Sequence, residues 1–146
     1  MIHISQKCQY GLRAVFELAR RGGKGLVSTS EIARAQAIPP QFLELIMNQL
    51  TQAGIVESRR GPRGGYMLVA SPETLTAGQI IRLIDGPIKA VKCIVGGGAD
   101  CPMRGACAFE SMWTSAGNAM AQVFDSTTFQ DLLERQPSPA KGITPT

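Results

Sequence analysis

Histidine is almost missing from this 146-residue chain: His3 is the single copy. That excludes a histidine-rich metal site, and no nucleophile, base and orienting acid assemble from what remains. Long apolar runs are also missing, and a bilayer-spanning helix needs about 18 to 20 such residues. The N-terminal segment has no apolar core followed by a cleavage site. The expectation is therefore a cytoplasmic protein without membrane contact. Glycine is plentiful, yet no G-x-x-x-x-G-K-[ST] run occurs. The Gly61, Gly64 and Gly65 cluster lies between two strand-like segments and does not lead from a strand into a helix, so a phosphate-binding loop is excluded. No internal repeat is present, and no enzyme activity is expected.

What is there begins with charge. Residues 1–70 hold nine Lys/Arg against four Asp/Glu, and residues 71–146 hold six against seven, giving +5 and −1. The basic half is the polyanion-binding half. Hydrophobic residues make up 44% and charged residues 18% of the chain, as in a soluble globular protein. A chain this short forms one domain, or a small domain with an extension that buries its apolar face on a partner.

Helical spacing of Tyr10, Ala14, Val15, Leu18 and Ala19 predicts a first helix over 6–20, with Arg13, Glu17 and Arg20 facing elsewhere and Gly22-Gly23 ending it. Ser28 and Glu31 have capping-box spacing, which starts a short helix running to about Gln36. Ile38-Pro39-Pro40 breaks and restarts the chain. A third helix from about Pro40 to Ala53 carries an apolar stripe of Leu43, Ile46, Met47 and Leu50 and ends at Gly54. Its other face holds Gln41, Glu44, Leu45, Asn48 and Gln52. A helix pair whose second member presents uncharged hydrogen-bonding groups suits a DNA major groove, where Gln and Asn read adenine edges. Residues 55–59 and 66–69 read as strands joined by Arg60-Gly61-Pro62-Arg63-Gly64-Gly65. Arg59, Arg60 and Arg63 in or beside this tight tip make a basic wing able to approach a phosphate backbone. The order of these elements predicts a mainly α fold with a small β-hairpin wing, a winged helix-turn-helix over residues 1–75.

A fourth helix is expected from Thr76 to Asp85. Regular structure then fades for about twenty residues, a length that usually marks function. This stretch contains Cys93, Cys101 and Cys107, with seven and then five residues between them. Three thiols this close in a cytoplasmic chain are ligands or redox groups before they are structural disulfides. Thiolates suit an iron-sulfur cluster or zinc, and wide gaps favour the larger inorganic core. Zinc and unligated thiols remain as alternatives.

From Ala108 to Val123 or Phe124 the chain is again helix-compatible. Phe109, Met112, Trp113, Ala116, Met120 and Val123 recur at threes and fours, a stripe that a second copy would cover. That predicts a long C-terminal dimerisation helix and a homodimer. A last short helix starts at Thr128, capped with Asp131. Residues 76–135 form the expected sensor and dimerisation region, and 136–146 a disordered tail.

Ile4-Ser5, Tyr10-Gly11-Leu12-Arg13-Ala14, Ala53-Gly54-Ile55-Val56, the wing Arg60 to Tyr66 and the three cysteines before a Trp-containing helix together resemble the iron-sulfur winged-helix regulators typified by IscR, NsrR and RirA. The wing is the most specific part. The resemblance implies a homodimeric regulator, most simply a repressor, with a 2Fe-2S or 4Fe-4S cluster on Cys93, Cys101 and Cys107. It places DNA contacts on Ser28, Gln41, Phe42, Leu45, Asn48, Arg59, Arg60 and Arg63, over a two-fold symmetric operator. Two departures stand out: the cysteine gaps are unequal where the best-known members have equal ones, and the fourth ligand is missing from its usual places. Glu110 stands where IscR-like chains have a histidine, and Gln9 where NsrR-like chains have an acid. Cys8, one residue earlier and about 100° around the helix, is the other fourth-ligand candidate, or a buried small hydrophobe.

Overall fold

The computed structural model describes residues 3–91, 101–103 and 105–136. Among the described residues, six helices and one hairpin follow in the order α1 (Gln6–Arg21), α2 (Thr29–Gln36), α3 (Pro40–Gln52), β1 (Val56–Arg59), β2 (Gly65–Leu68), α4 (Ala77–Asp85), α5 (Glu110–Asp125) and α6 (Phe129–Arg135). The mainly α fold with a two-stranded antiparallel wing is as the sequence predicts. No described helix is long and apolar enough to cross a membrane.

The first helix is the scaffold. Its N-cap Ser5 accepts from the Cys8 amide at 3.0 Å, and the Ser5 amide donates to Asp85 Oδ2 at 2.8 Å, tying the start of α1 to the end of α4. The Ser5 hydroxyl donates to the other Asp85 oxygen. Ala14, Val15 and Leu18 of α1 pack with Ile32 of α2, the α3 stripe, Ile80 of α4 and Phe129 of α6 in a single apolar core. Gly11 lets α1 approach closely, because a Cβ there would meet the side chains of Ile84 and Ile46.

Glu17 departs from the sequence expectation. It does not face solvent; its side chain is fully buried. Burial alone raises a carboxyl pKa, but hydrogen bonds from Arg20, Gln36 and Arg21 outweigh it and hold Glu17 below the ordinary carboxylate range. The Gln36 amide donates to Glu17 Oε2 at 3.0 Å, so this carboxylate also fastens the end of α2 to α1. Cys8 is buried as well, the small-hydrophobe reading of that position.

The second half of the chain returns to this scaffold. Thr76 and Gln79 form a capping box at α4, and Thr128 and Asp131 form another at α6. The Ala77 amide donates to the Thr127 carbonyl at 2.9 Å and the Phe129 amide to the Leu75 carbonyl at 3.1 Å, which joins the two helix starts. Phe129 is thereby driven into the core shared with α1. The core thus crosses residue 75, drawing side chains from both sides of that position.

Helix α5 differs from the others. It begins at Glu110, two residues later than Ala108, and Phe109 at its N-cap supplies no side-chain acceptor. Gly117 is its buried residue, while Phe109, Met112 and Val123 stand 59%, 49% and 61% exposed. It is held to α4 by paired hydrogen bonds from Arg82 to Asp125 at 2.5 and 2.8 Å, which keep the Asp125 carboxyl below its ordinary range. The expected tail lies largely outside the described residues, beyond Gln136.

Because Phe129 closes the core, Phe129→Ala should cost about 3 to 5 kcal/mol of stability. Urea denaturation of the full chain checks this, and a loss below about 1 kcal/mol would show that α6 merely rests on the surface.

Candidate nucleic-acid interface

The helix-turn-helix is built by local chemistry. Ser28 accepts from the Glu31 amide at 3.2 Å while Glu31 Oε2 accepts from the Ser28 amide at 2.9 Å, satisfying two orphan donors at the start of α2. The turn to α3 passes through Ala37, held in the left-handed region at φ 52°, and buries Ile38. Pro40 then occupies the first turn of α3, where its missing N–H costs nothing.

Leu43, Ile46, Met47 and Leu50 have no exposed surface. That fixes the rotation of α3 and turns Gln41, Glu44, Leu45 and Asn48 outward. Leu45 is 56% and Phe42 44% exposed, unusual for apolar residues in a monomer core helix but suited to contact with thymine methyl groups.

The wing pairs Val56 with Leu68, Glu57 with Met67, Ser58 with Tyr66 and Arg59 with Gly65. Gly61 has φ 113°, and the Gly64 amide donates to the Gly61 carbonyl at 2.9 Å to close the tip. Two further hydrogen bonds, Val27 N–H to Tyr66 O at 2.9 Å and Tyr66 N–H to Val27 O at 2.8 Å, fasten the wing to the segment just before α2. These two bonds bring the wing and the Ser28 cap together. Between them and α3 runs a polar cleft of about 570 Å³, lined by Ser28, Thr29, Ser30, Glu44, Asn48, Ser58, Arg59 and Arg60.

Of the sequence-predicted DNA residues, Ser28, Asn48, Arg59 and Arg60 therefore meet in one cleft. Gln41, Phe42 and Leu45 lie on the exposed face of α3, and Arg63 is exposed at the wing tip. Thr29, Ser30 and Ser58 join the cleft without having been singled out. Thr29 and Ser30 were legible as the first residues of a capped helix, whereas Ser58 depends on the strand register.

The cysteines divide. Cys93 lies outside the described residues. Cys101 and Cys107 are half-buried and free of disulfides. Cys107 shares a shallow pocket with Glu110, Ser111 and Thr114 at the start of α5, and its carbonyl accepts from the Glu110 amide at 3.3 Å. Cys8 sits elsewhere, buried in the first turn of α1 beside Asp85. Burial, the Asp85 charge and a hydrogen bond to Asp85 push its thiol up to about 12, so at neutral pH it stays protonated. No three His, Cys, Asp or Glu residues cluster as a metal site among the described residues.

Residues 4–135 match the sequence profile of the Rrf2 family, described as iron-dependent transcriptional regulators. This chain belongs to the Rrf2 family. Among similar Rrf2 regulators, CymR of Bacillus subtilis is 37% identical over 129 residues, covering 88% of each chain. The solved structure of CymR, the global cysteine regulator of B. subtilis, overlays with a TM-score of 0.78 at 36% identity, covering 94% of this chain and 100% of that one. The T. potens IscR structure overlays with a TM-score of 0.71 at 32% identity, covering 94% and 93%. The resemblance to IscR-type regulators is thus borne out, and so is the expectation of a transcription regulator that is not an enzyme. The Rrf2 fold here is a DNA-binding winged helix.

The cleft geometry depends on Gly65, where a Cβ would stand 2.6 and 2.7 Å from the Val27 backbone. Gly65→Ala should therefore push the wing off α2 and cost about 1 to 3 kcal/mol. Thermal or urea denaturation measures the cost, with unchanged stability counting against the Val27–Tyr66 attachment.

Proposed function

We propose that this Rrf2 regulator is a homodimeric, cytoplasmic repressor whose binding to a two-fold symmetric operator is set by an iron-sulfur cluster on Cys93, Cys101 and Cys107. In this reading residues 1–75 are the DNA-binding part and 76–135 the sensor and dimerisation part. Arg59, Arg60 and Arg63 approach the backbone from the wing and Ser28 meets a phosphate at its helix start. Gln41, Phe42, Leu45 and Asn48 face the bases.

The observation that carries the sensor assignment is the position of Cys107. Its thiol is half-buried and free, and its carbonyl caps the first amide of α5, so a group bound there pulls directly on that helix. The donor set fits the cofactor: soft, unpaired thiols with an oxygen donor, Glu110, in the same pocket. Of the two fourth-ligand candidates, Glu110 has this proximity to Cys107, while Cys8 is buried within α1. Either cluster type suits such donors, and the cluster would supply an iron- and redox-responsive core, open also to nitric oxide. The protein's own residues carry the response. Movement of α5 reaches α4 through Arg82 and Asp125, and α4 reaches α1 through Asp85 and Ser5. The exposed Phe109, Met112 and Val123 of α5 give a second copy its apolar contact, spacing two recognition helices across an operator.

A second reading has its own support. Relatives at comparable identity are named CymR, and one from Staphylococcus aureus was solved in an oxidized form at 32% identity and a TM-score of 0.74. On that reading the regulator is cluster-free or zinc-stabilised and answers to thiol oxidation or a partner protein.

Purification without oxygen separates the two. The cluster reading expects coloured protein with iron and acid-labile sulfide, and loss of both in the Cys93→Ala, Cys101→Ala, Cys107→Ala variant. Colourless, iron-free wild-type protein whose DNA binding changes on mild thiol oxidation would instead establish the second reading.

A further inference from the structure

A helix lying in the major groove is bordered by a phosphate strand on each side. The wing cleft occupies one side of α3. Glu44 lines that cleft, and Phe42, two residues earlier, is turned about 200° from Glu44 around the helix, calculated from 3.6 residues per turn. Phe42 therefore marks the opposite flank, and there it meets α1. The Tyr10 and Phe42 rings lie 5.7 Å apart, and the Arg13 guanidinium stands 5.0 Å above the Tyr10 ring. Lys7 precedes Tyr10 by one turn, so Lys7, Tyr10 and Arg13 form a row along α1 beside the recognition helix.

Arg13 is unusual among the arginines of α1. Arg20 and Arg21 are both consumed by Glu17, the only acid in that helix, which also takes Gln36. Arg13 has no carboxylate partner among the described residues and is held by a ring face alone, partly exposed. A cation–π contact fixes the guanidinium in place while leaving its five donors free. Planar donors held in advance and unspent on an acid are what bidentate recognition of a phosphate requires.

We infer that α1 supplies a second phosphate-binding flank for DNA, in which Arg13 contacts the backbone strand opposite the wing, Tyr10 positions it and Lys7 adds charge. This rests on the reading of α3 and the wing as the DNA interface. A phosphate contact carries no sequence information, so its loss weakens all duplexes alike and lowers the salt dependence of binding.

The test uses the whole 146-residue chain with two probes, a mixed-sequence duplex and a duplex that the wild-type protein selects from a random pool. Binding is measured across a salt series. Arg13→Ala should weaken both probes by the same factor and flatten the slope of log K against log salt by about 0.9 per protomer. Arg13→Lys should keep the wild-type slope. Tyr10→Phe should behave as wild type, whereas Tyr10→Leu, which packs but offers no ring, should flatten the slope like Arg13→Ala. Arg60→Ala serves as the control for the wing. If Arg60→Ala weakens binding while Arg13→Ala keeps the wild-type slope, the α1 flank is overturned and the winged-helix interface stands. If the wild-type protein binds neither duplex, both fall together. Unchanged melting temperatures in the Arg13 variants keep folding out of the comparison.

Discussion

The rotation of α3 about its own axis governs the rest of the molecule. Leu43, Ile46, Met47 and Leu50 are wholly buried, and each such side chain contributes roughly 1.5 to 3 kcal/mol on removal from water. Turning the helix by one residue would swing this stripe by about 100° and drag Glu44 toward the core. The face proposed to read DNA is therefore set by what is hidden behind it. Gly11 supports the same constraint from the other side, since its missing side chain lets Ile46 and Ile84 close on α1.

Polar contacts then fasten the pieces around that axis. Glu17 joins α1 to the end of α2, immediately before the left-handed Ala37 that aims α3. Val27 and Tyr66 fasten the wing beside the Ser28 cap. Asp85 receives both donors of Ser5 and so couples α4 to the first turn of α1. The apolar stripe on α5 is the part this core leaves uncovered, which is why a second copy belongs to the functional reading.

Sequence spacing revealed whatever is local. The capping boxes at Ser28 and Thr128 span only three positions of chain, and the wing needs only its Gly-Pro tip and flanking strands. Contacts between distant segments were hidden. The buried Glu17 accepts from Gln36, 19 residues away, as well as from its neighbouring arginines. Phe129 looks like any residue of a short terminal helix until α6 is tied back to Leu75. In the interface, Gln41 and Asn48 followed from helical periodicity, but the meeting of Ser58 with Ser28 required the strand register. Tyr10 gave no sign of its place beside Phe42, because helix-to-helix proximity is not written in either segment alone. For the cysteines, proximity in sequence pointed to a common ligand, while the contact of Cys8 with the distant Asp85 was hidden.

The exposed face of α3 is proposed to read bases while its buried face holds it still. Selection of preferred sites from a random-sequence duplex pool, with wild type, Gln41→Ala and Asn48→Ala in parallel, tests it most directly. Each variant should lose discrimination at a position in each half-site, worth about 1 to 3 kcal/mol, without loss of stability. Variants that select the wild-type sequence with undiminished affinity would contradict the account.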